Sequence, residues 1–364
     1  MSEMKLVVTG ADGFIGKNLL LALKPRTDVT CLPITRSSSD ADISNALAEA
    51  DAVVHLAGIN RPKEGESYSD NTTITQKLAR LLSGRSVPVI YTSSTQVTRG
   101  NEYGNSKLGA EDALRATGCP LYLYRLPNVF GKFARPNYNS AVATFCHNIA
   151  RDLPITIHDP SAALTLVYID DVVSSFLAAL DGKLSPGLVE IDPIYATTVG
   201  EVAEQIKAFR NCRGGSLLIE RVGTGLTRAL YATYVSALPP DAFRYGVTEH
   251  CDPRGKFVEM LRTPDCGQFS FFTAHPGITR GSHYHHTKTE KFLVISGRAR
   301  FGFRHMVTGE RYEIETSGER AEIVETVPGW THDITNIGTT EMVVMLWANE
   351  IFDRDKPDTY AEPV

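Results

Sequence analysis

Two groups of residues in this 364-residue chain have the types and spacing of working chemistry. In Tyr103-Gly-Asn-Ser-Lys107 a phenol and an ammonium stand four residues apart, on one face of a helix beginning near Tyr103. A lysine ammonium beside a phenol lowers the phenol's pKa and makes it a usable proton donor or acceptor. Upstream, Ser94 in Ile90-Tyr-Thr-Ser-Ser-Thr95 ends an apolar strand with hydroxyls that suit a substrate carbonyl oxygen. The second group lies near the other end of the chain. His283 and His285 are two apart, so in a strand they share a face, and Glu290 follows between the framing glycines Gly277 and Gly297. Pro328-Gly-Trp-Thr-His332 adds a third imidazole. Three imidazoles and a carboxylate make a site for one divalent metal, with zinc the first choice. The neighbouring His286 is expected to face the other way.

A third pattern binds rather than reacts. Thr9-Gly10-Ala11-Asp12-Gly13-Phe14-Ile15-Gly16 follows a strand and opens a helix. Gly10 permits the tight turn, Gly13 lets a pyrophosphate approach the backbone, and Gly16 lets the helix pack on the strand. The cofactor contacts expected here are Gly10, Asp12, Gly13, Phe14, Ile15 and Gly16. A carboxylate about twenty residues on would favour NAD. Arg36 stands there instead, with no acid until Asp40, which suits the 2′-phosphate of NADPH.

The elements that must carry these groups differ in texture. Lys5–Thr9, Val29–Ile34, Ala52–Leu56, Val87–Thr92 and Leu121–Leu126 read as strands alternating with helical spacings such as Leu78, Leu81 and Leu82. That alternation predicts a parallel sheet covered on both faces. Beyond about residue 250, Phe257–Leu261, Phe269–Thr273, Lys291–Ile295, Arg300–Arg304 and Met342–Trp347 are short strands parted by turns, which predicts an antiparallel barrel or sandwich. The join is expected near Ala237–Gly246, giving domains 1–245 and 246–364. A net charge of −5 offers no basic stripe for nucleic acid. No run approaches the ~20 apolar residues of a membrane span, and the N-terminus lacks a signal-peptide pattern. Six cysteines without a CxxC suggest reduced thiols and a cytoplasmic setting.

With these residues in view, the first domain resembles the extended short-chain dehydrogenase/reductase family, a Rossmann α/β fold acting largely on nucleotide sugars. The likeness rests on the TGADGFIG turn, HLAG (His55–Gly58), YTSS, YGNSK, RLPNVFG (Arg125–Gly131) and YIDDVV (Tyr168–Val173). It implies Tyr103 as acid/base, Ser94 as its catalytic partner and Lys107 on the nicotinamide ribose. It also implies Leu56 and Ala57 beside the cofactor, and Asn128, Arg135 and Asn137 near the sugar nucleotide. Thr95-Gln96 stands where the family's 4,6-dehydratases carry Asp-Glu, which points to reduction or epimerisation. The second domain resembles the cupins, all-β barrels with a His, His, Glu and His metal site. Asp252-Pro-Arg254-Gly255-Lys-Phe257-Val-Glu259 is similar to the opening of the dTDP-4-keto-6-deoxyhexose 3,5-epimerases, which are also cupin-shaped.

Over its full length the chain resembles the bifunctional capsular-polysaccharide enzymes that make UDP-2-acetamido-2,6-dideoxy-β-L-talose on the route to UDP-N-acetyl-L-fucosamine. The segment Arg135–Arg151, the segment Gly277–Gly297 and the closing Pro357-Asp-Thr-Tyr360 carry that likeness. It implies a UDP-linked 4-keto-6-deoxy amino sugar as substrate, a homodimer, and two steps: C3 epimerisation in the barrel, then reduction of C4 by NADPH. His285, His305, Tyr284 and Lys291 are the acid/base candidates for epimerisation. Two other readings stand beside it. One is a nucleotide-sugar epimerase with tightly held NAD; the other is a plain reductase whose barrel senses a ligand or dimerises.

Overall fold

The computed structural model describes residues 3–252, 255–258, 260–261, 263, 267–350 and 353–364, with 249–252, 255–258 and 268 described by backbone alone. Pro253, Arg254, Glu259 and Cys266 lie outside them, and with them much of the epimerase-like Asp252–Glu259 segment. The chain forms two compact units, 1–135 with 164–196 and 136–163 with 197–364.

In the first unit, strand and helix alternate as β1 (Met4–Thr9), α1 (Phe14–Leu23), β2 (Val29–Ile34), α2 (Asp40–Glu49), β3 (Ala52–His55), α3 (Asp70–Leu82), β4 (Val89–Ser94), α4 (Glu102–Arg115), β5 (Leu121–Leu126) and β6 (Asn128–Phe130). The chain then runs through Pro136–Ala163, which carries α5 (Ala141–Ile149) of the second unit, and returns for β7 (Ala163–Tyr168), α6 (Ile169–Leu180) and β8 (Gly187–Leu188). The main sheet is parallel in the order β2-β1-β3-β4-β5-β8. Val7, Val53, Val89 and Leu123 are buried in it beneath Leu78, Leu82 and Leu114 of the covering helices, as continuous apolar strands require. The strand order reverses between β1 and β3. That switch point is where a doubly wound sheet opens a crevice for a ligand at the carboxyl ends of its strands.

A three-stranded sheet has the order β6-β7-β9, with β9 (Tyr195–Thr198) divided between the units at 196/197. The second unit continues through α7 (Val199–Asn211), α8 (Gly225–Ser236), β10 (Arg244–Gly246), β11 (Glu249–Asp252) and β12 (Gly255–Val258). Next come β13 (Gln268–Ala274), β14 (Thr279–Tyr284), β15 (Glu290–Ser296), β16 (Arg298–His305), β17 (Arg311–Ser317), β18 (Glu322–Glu325), β19 (Trp330–Asn336), β20 (Met342–Ala348) and β21 (Tyr360–Ala361). Two five-stranded antiparallel sheets, β10-β18-β15-β20-β13 and β17-β16-β19-β14-β21, form the cupin barrel.

Residues 197–245 fall in the same compact unit as the barrel. The reason is burial. Phe243 sets its ring edge-on to Trp330 at 5.1 Å, and Tyr231 of α8 donates to Glu325 of β18 at 3.3 Å. Arg213 and Lys291 close on the same Glu325, leaving a buried carboxylate shared between helical layer and barrel. Among the described residues no helix is long and apolar enough to cross a membrane.

Candidate active site

The first site is built at the ends of β1, β3 and β4. Gly10 has φ +67°, and a Cβ there would lie 2.8 Å from the nitrogen of Ala57. The turn can therefore approach the Leu56–Ala57 segment only as glycine. A Cβ on Gly16 would stand 2.4 Å from the Gly10 carbonyl, which explains the close helix–strand packing. Helix α1 starts at Gly13 with no side-chain cap and no acidic residue in its first turn. Its N–H groups thus remain available to an anion, and the cradle fits the pyrophosphate of a dinucleotide.

A buried polar chain holds the two halves of this cradle. Thr75 donates to the carbonyl of Asn71 at 2.8 Å, so it accepts from His55 Nε2 at 2.9 Å. His55 Nδ1 then accepts from the Thr9 hydroxyl at 2.7 Å, and Thr9 Oγ1 in turn accepts the N–H groups of Leu56 and Ala57 at 3.2 Å. Burial, then the charge of Lys107, pushes His55 down to about 3, so the imidazole is neutral and structural.

Arg36 follows β2 as expected and is exposed, with an ion pair to Glu66 at 2.8 Å. Tyr103 sits in the first turn of α4, which Asn101 caps by accepting from Gly104 N at 2.7 Å. The phenol donates to Asn60 Oδ1 at 3.2 Å and lies edge-on to Tyr68. Burial raises the Tyr103 phenol above its ordinary pKa, and the Ser94 hydroxyl is the neighbour that pulls it back. The Lys107 ammonium, on the same helix, lies 4.7 Å from the centre of the Tyr91 ring. Lys107 is itself buried and pushed down to about 8.

Ser94 is buried at the end of β4, and Glu111 ties that strand to α4, accepting from Ser93 at 2.6 Å. Asn128 of β6 donates to the Thr165 carbonyl at 3.1 Å. Arg135 ends the first unit's leading segment, and Asn137, with φ +54°, is the second residue of the second unit.

The second site lies inside the barrel. One ligand atom from each of His283, His285, Glu290 and His332 falls within 4.8 Å of the others. A bulge in β14 makes this possible: the register shifts between Gly281 and His283, so His283 faces His332 of β19. Gly281 has φ +98°, and a Cβ there would be 3.0 Å from the His332 carbonyl. His332 is buried, and neither of its ring nitrogens has a hydrogen-bond partner among the described residues. A buried imidazole without partners, beside two more and a carboxylate, fits a divalent metal. Burial works to raise Glu290, while the neighbouring positive charge of Lys288 favours its carboxylate form. The cluster opens on a cavity of about 180 Å³ walled by Phe272, Phe292, Phe301 and Phe303, with Arg280 also lining it.

The acid/base candidates separate. His285 belongs to the cluster. His305 stands outside it: its Nδ1 accepts from Thr308 N at 3.0 Å at a turn, and its ring meets Trp330. Tyr284 points away from the cluster and stacks on Tyr360, and His286 also packs on Tyr360, as expected for residues alternating with the ligands. Lys291, next to Glu290 on β15, likewise faces away, toward Glu325 and Tyr245. The sequence reading passed over Asn60, Asn71, Glu111 and Asp358, although HLAG and the closing Pro357–Tyr360 mark the segments of His55 and Asp358.

Residues 6–191, just over half of the chain, match the NAD dependent epimerase/dehydratase family. The chain belongs to that family. The family implies a nicotinamide cofactor, and the cradle described above accommodates one. Residues 250–360 match the polysaccharide biosynthesis C-terminal domain. A Pseudomonas aeruginosa protein named UDP-2-acetamido-2,6-beta-L-arabino-hexul-4-ose reductase is 59% identical over 366 aligned positions, covering 98% of each chain. The crystal structure of the capsular polysaccharide assembling protein CapF from Staphylococcus aureus is 39% identical with a TM-score of 0.67, over 99% of this chain and 100% of that one. A Bacillus cereus UDP-glucuronic acid 4-epimerase, 22% identical with a TM-score of 0.51, covers 57% of this chain and 83% of its own and shares the fold.

Proposed function

We propose that the chain is a bifunctional nucleotide-sugar enzyme. The barrel epimerises C3 of a UDP-linked 4-keto-6-deoxy-N-acetylhexosamine, and the dinucleotide-binding unit reduces C4 with NADPH. The product is UDP-2-acetamido-2,6-dideoxy-L-talose, destined for UDP-N-acetyl-L-fucosamine and capsule or O-antigen polymers. The observation that carries the reading is one chain bearing both Ser94, Tyr103 and Lys107 and the cluster of three imidazoles and a carboxylate. The full-length likeness to a hexulose reductase supports the substrate class. The homodimer and cytoplasmic setting implied by the resemblance belong to the same reading, as does a functional division near 245/246.

The two chemistries share one carbonyl. A C4 ketone acidifies the C3–H bond and is itself a hydride acceptor. In the barrel, the phenylalanine walls offer an apolar face to the sugar ring. Arg280, with its guanidinium 4.9 Å from the centre of the Phe272 ring, offers a cation to the diphosphate. His283, His285, Glu290 and His332 would hold the metal, which supplies positive charge beside the ketone. The C3 proton leaves on one face and a proton returns on the other, so the step needs no oxidant.

In the other unit, Gly10, Asp12, Gly13, Phe14, Ile15 and Gly16 line the cofactor cradle, with Arg36 for the 2′-phosphate and Leu56 and Ala57 along its side. NADPH supplies the hydride to C4. Ser94 orients the ketone oxygen, Tyr103 gives it a proton, and Lys107 holds the nicotinamide ribose. Asn128, Arg135 and Asn137 contact the sugar nucleotide. Tyr103→Phe is expected to abolish NADPH oxidation while leaving C3 exchange intact, whereas His283→Ala is expected to abolish C3 exchange and, with it, the supply of epimerised ketone to the reductase. Loss of C3 exchange in Tyr103→Phe, or C3 exchange that persists in His283→Ala, would contradict the division of labour.

A further inference from the structure

The last dozen residues touch every segment that carries a metal-ligating histidine. Strand β21 pairs with β14, setting Ala361 opposite His283 and Tyr360 opposite Tyr284. The carbonyl of Glu362 accepts from the hydroxyl of Thr331, the neighbour of His332, at 2.5 Å. Two residues before these contacts begin stands Asp358, whose bonds go to the loop joining β14 and β15. Its carboxylate accepts the backbone N–H groups of His286 at 2.9 Å, Thr287 at 2.9 Å and Lys288 at 2.8 Å, and the Thr287 hydroxyl at 3.2 Å. That loop leads from His285 to Glu290. The tail also reaches Glu290 indirectly: Lys288 donates to Thr359 Oγ1 at 2.9 Å and lies 3.7 Å from Glu290 Oε1.

We propose that Asp358 is a positioning residue for the metal centre and that the C-terminal segment Pro357–Tyr360 is the latch that sets its geometry. The proposal rests on the reading of the cluster as a divalent-metal site. Its main-chain carbonyl lies 2.6 Å from His285 Nδ1. A carbonyl only accepts, so Nδ1 carries the proton and the lone pair of Nε2 is left for a metal, facing Glu290 Oε2 at 3.2 Å. That carbonyl is aimed by a backbone with φ +38°, a conformation uncommon outside glycine. The four hydrogen bonds to the Asp358 carboxylate hold it there. One residue thus fixes the tautomer of a ligand with its main chain and the loop between two ligands with its side chain.

The test uses the full-length chain and three readouts: Zn²⁺ affinity by competition with a chromophoric chelator, the visible spectrum of the Co²⁺-loaded protein, and the melting temperature without metal. Asp358→Ala is expected to weaken Zn²⁺ binding roughly 10- to 100-fold and to change the Co²⁺ bands. Asp358→Asn keeps an acceptor without the charge. It is expected to weaken binding by a few fold, and it carries the test if the alanine variant does not fold. A purely structural role would lower the melting temperature while leaving the Co²⁺ spectrum of the folded fraction unchanged, and would overturn the latch. Zn²⁺ affinity within twofold of wild type in both variants would do the same. A wild-type chain that takes up no Zn²⁺ would overturn the metal reading, and the latch with it.

Discussion

Glu111 receives two arms of the Arg125 guanidinium, at 3.0 and 2.7 Å, from a position two helical turns along α4 from Tyr103. Arg115 adds a third bond at 2.9 Å. The fully buried carboxylate thereby pins the helix bearing Tyr103 and Lys107 to strands β4 and β5. Glu111→Ala leaves two arginines without that partner. Both are partly exposed, 30% for Arg125 and 46% for Arg115, so the expected cost sits below the range for a fully buried pair, at about 1–3 kcal/mol. Urea unfolding measures the loss, and reductase turnover is expected to fall with it as Tyr103 drifts. An unchanged midpoint would mean the pin is dispensable.

Lys107 gives a pH dependence whose sign can be worked out. Burial takes its pKa from 10.5 down to about 8, so between those values the unfolded chain binds more protons than the folded one. Its contribution to stability is therefore full above pH 10.5 and is lost as pH falls through 8. In cofactor-free protein, the stability of wild type relative to Lys107→Met is expected to rise by about 2 kcal/mol from pH 7.5 to 9.5. A flat difference across that range would show that the ammonium is not desolvated.

Arg36 must leave Glu66 to meet a 2′-phosphate. Arg36→Ala is expected to weaken NADPH binding about tenfold and leave NADH untouched, whereas Glu66→Gln should tighten NADPH by a few fold. Fluorescence titration with both cofactors separates the two. Equal losses for NADPH and NADH in the Arg36 variant would remove the phosphate from its role.

Stripping the metal with a chelator is expected to stop C3 exchange and lower the melting temperature, while NADPH affinity stays constant. Saturating Zn²⁺ at a hundred times its dissociation constant should restore about 2.7 kcal/mol. NADPH binding that fell in parallel would mean the first unit depends on the metal.

What could be read from the chain beforehand was local in sequence. The glycine turn, the Tyr103–Lys107 spacing and the four candidate metal ligands each declare themselves through short intervals, and β1 and β5 through largely apolar runs. Strands β17 and β19 were hidden because polar residues such as Glu313 and Asp333 interrupt their apolar pattern. Contacts distant in sequence stayed out of reach. Asp358 bonds a loop some seventy residues upstream, and Glu325 gathers Arg213 and Lys291 from separate layers.

The measurement that bears most directly on the two-step account is NMR of the product formed from UDP-2-acetamido-2,6-dideoxy-β-L-arabino-4-hexulose with NADPH in D2O. The account predicts deuterium at C3 together with a reduced C4. Reduction without deuterium at C3 would contradict the epimerase assignment and leave a simple reductase.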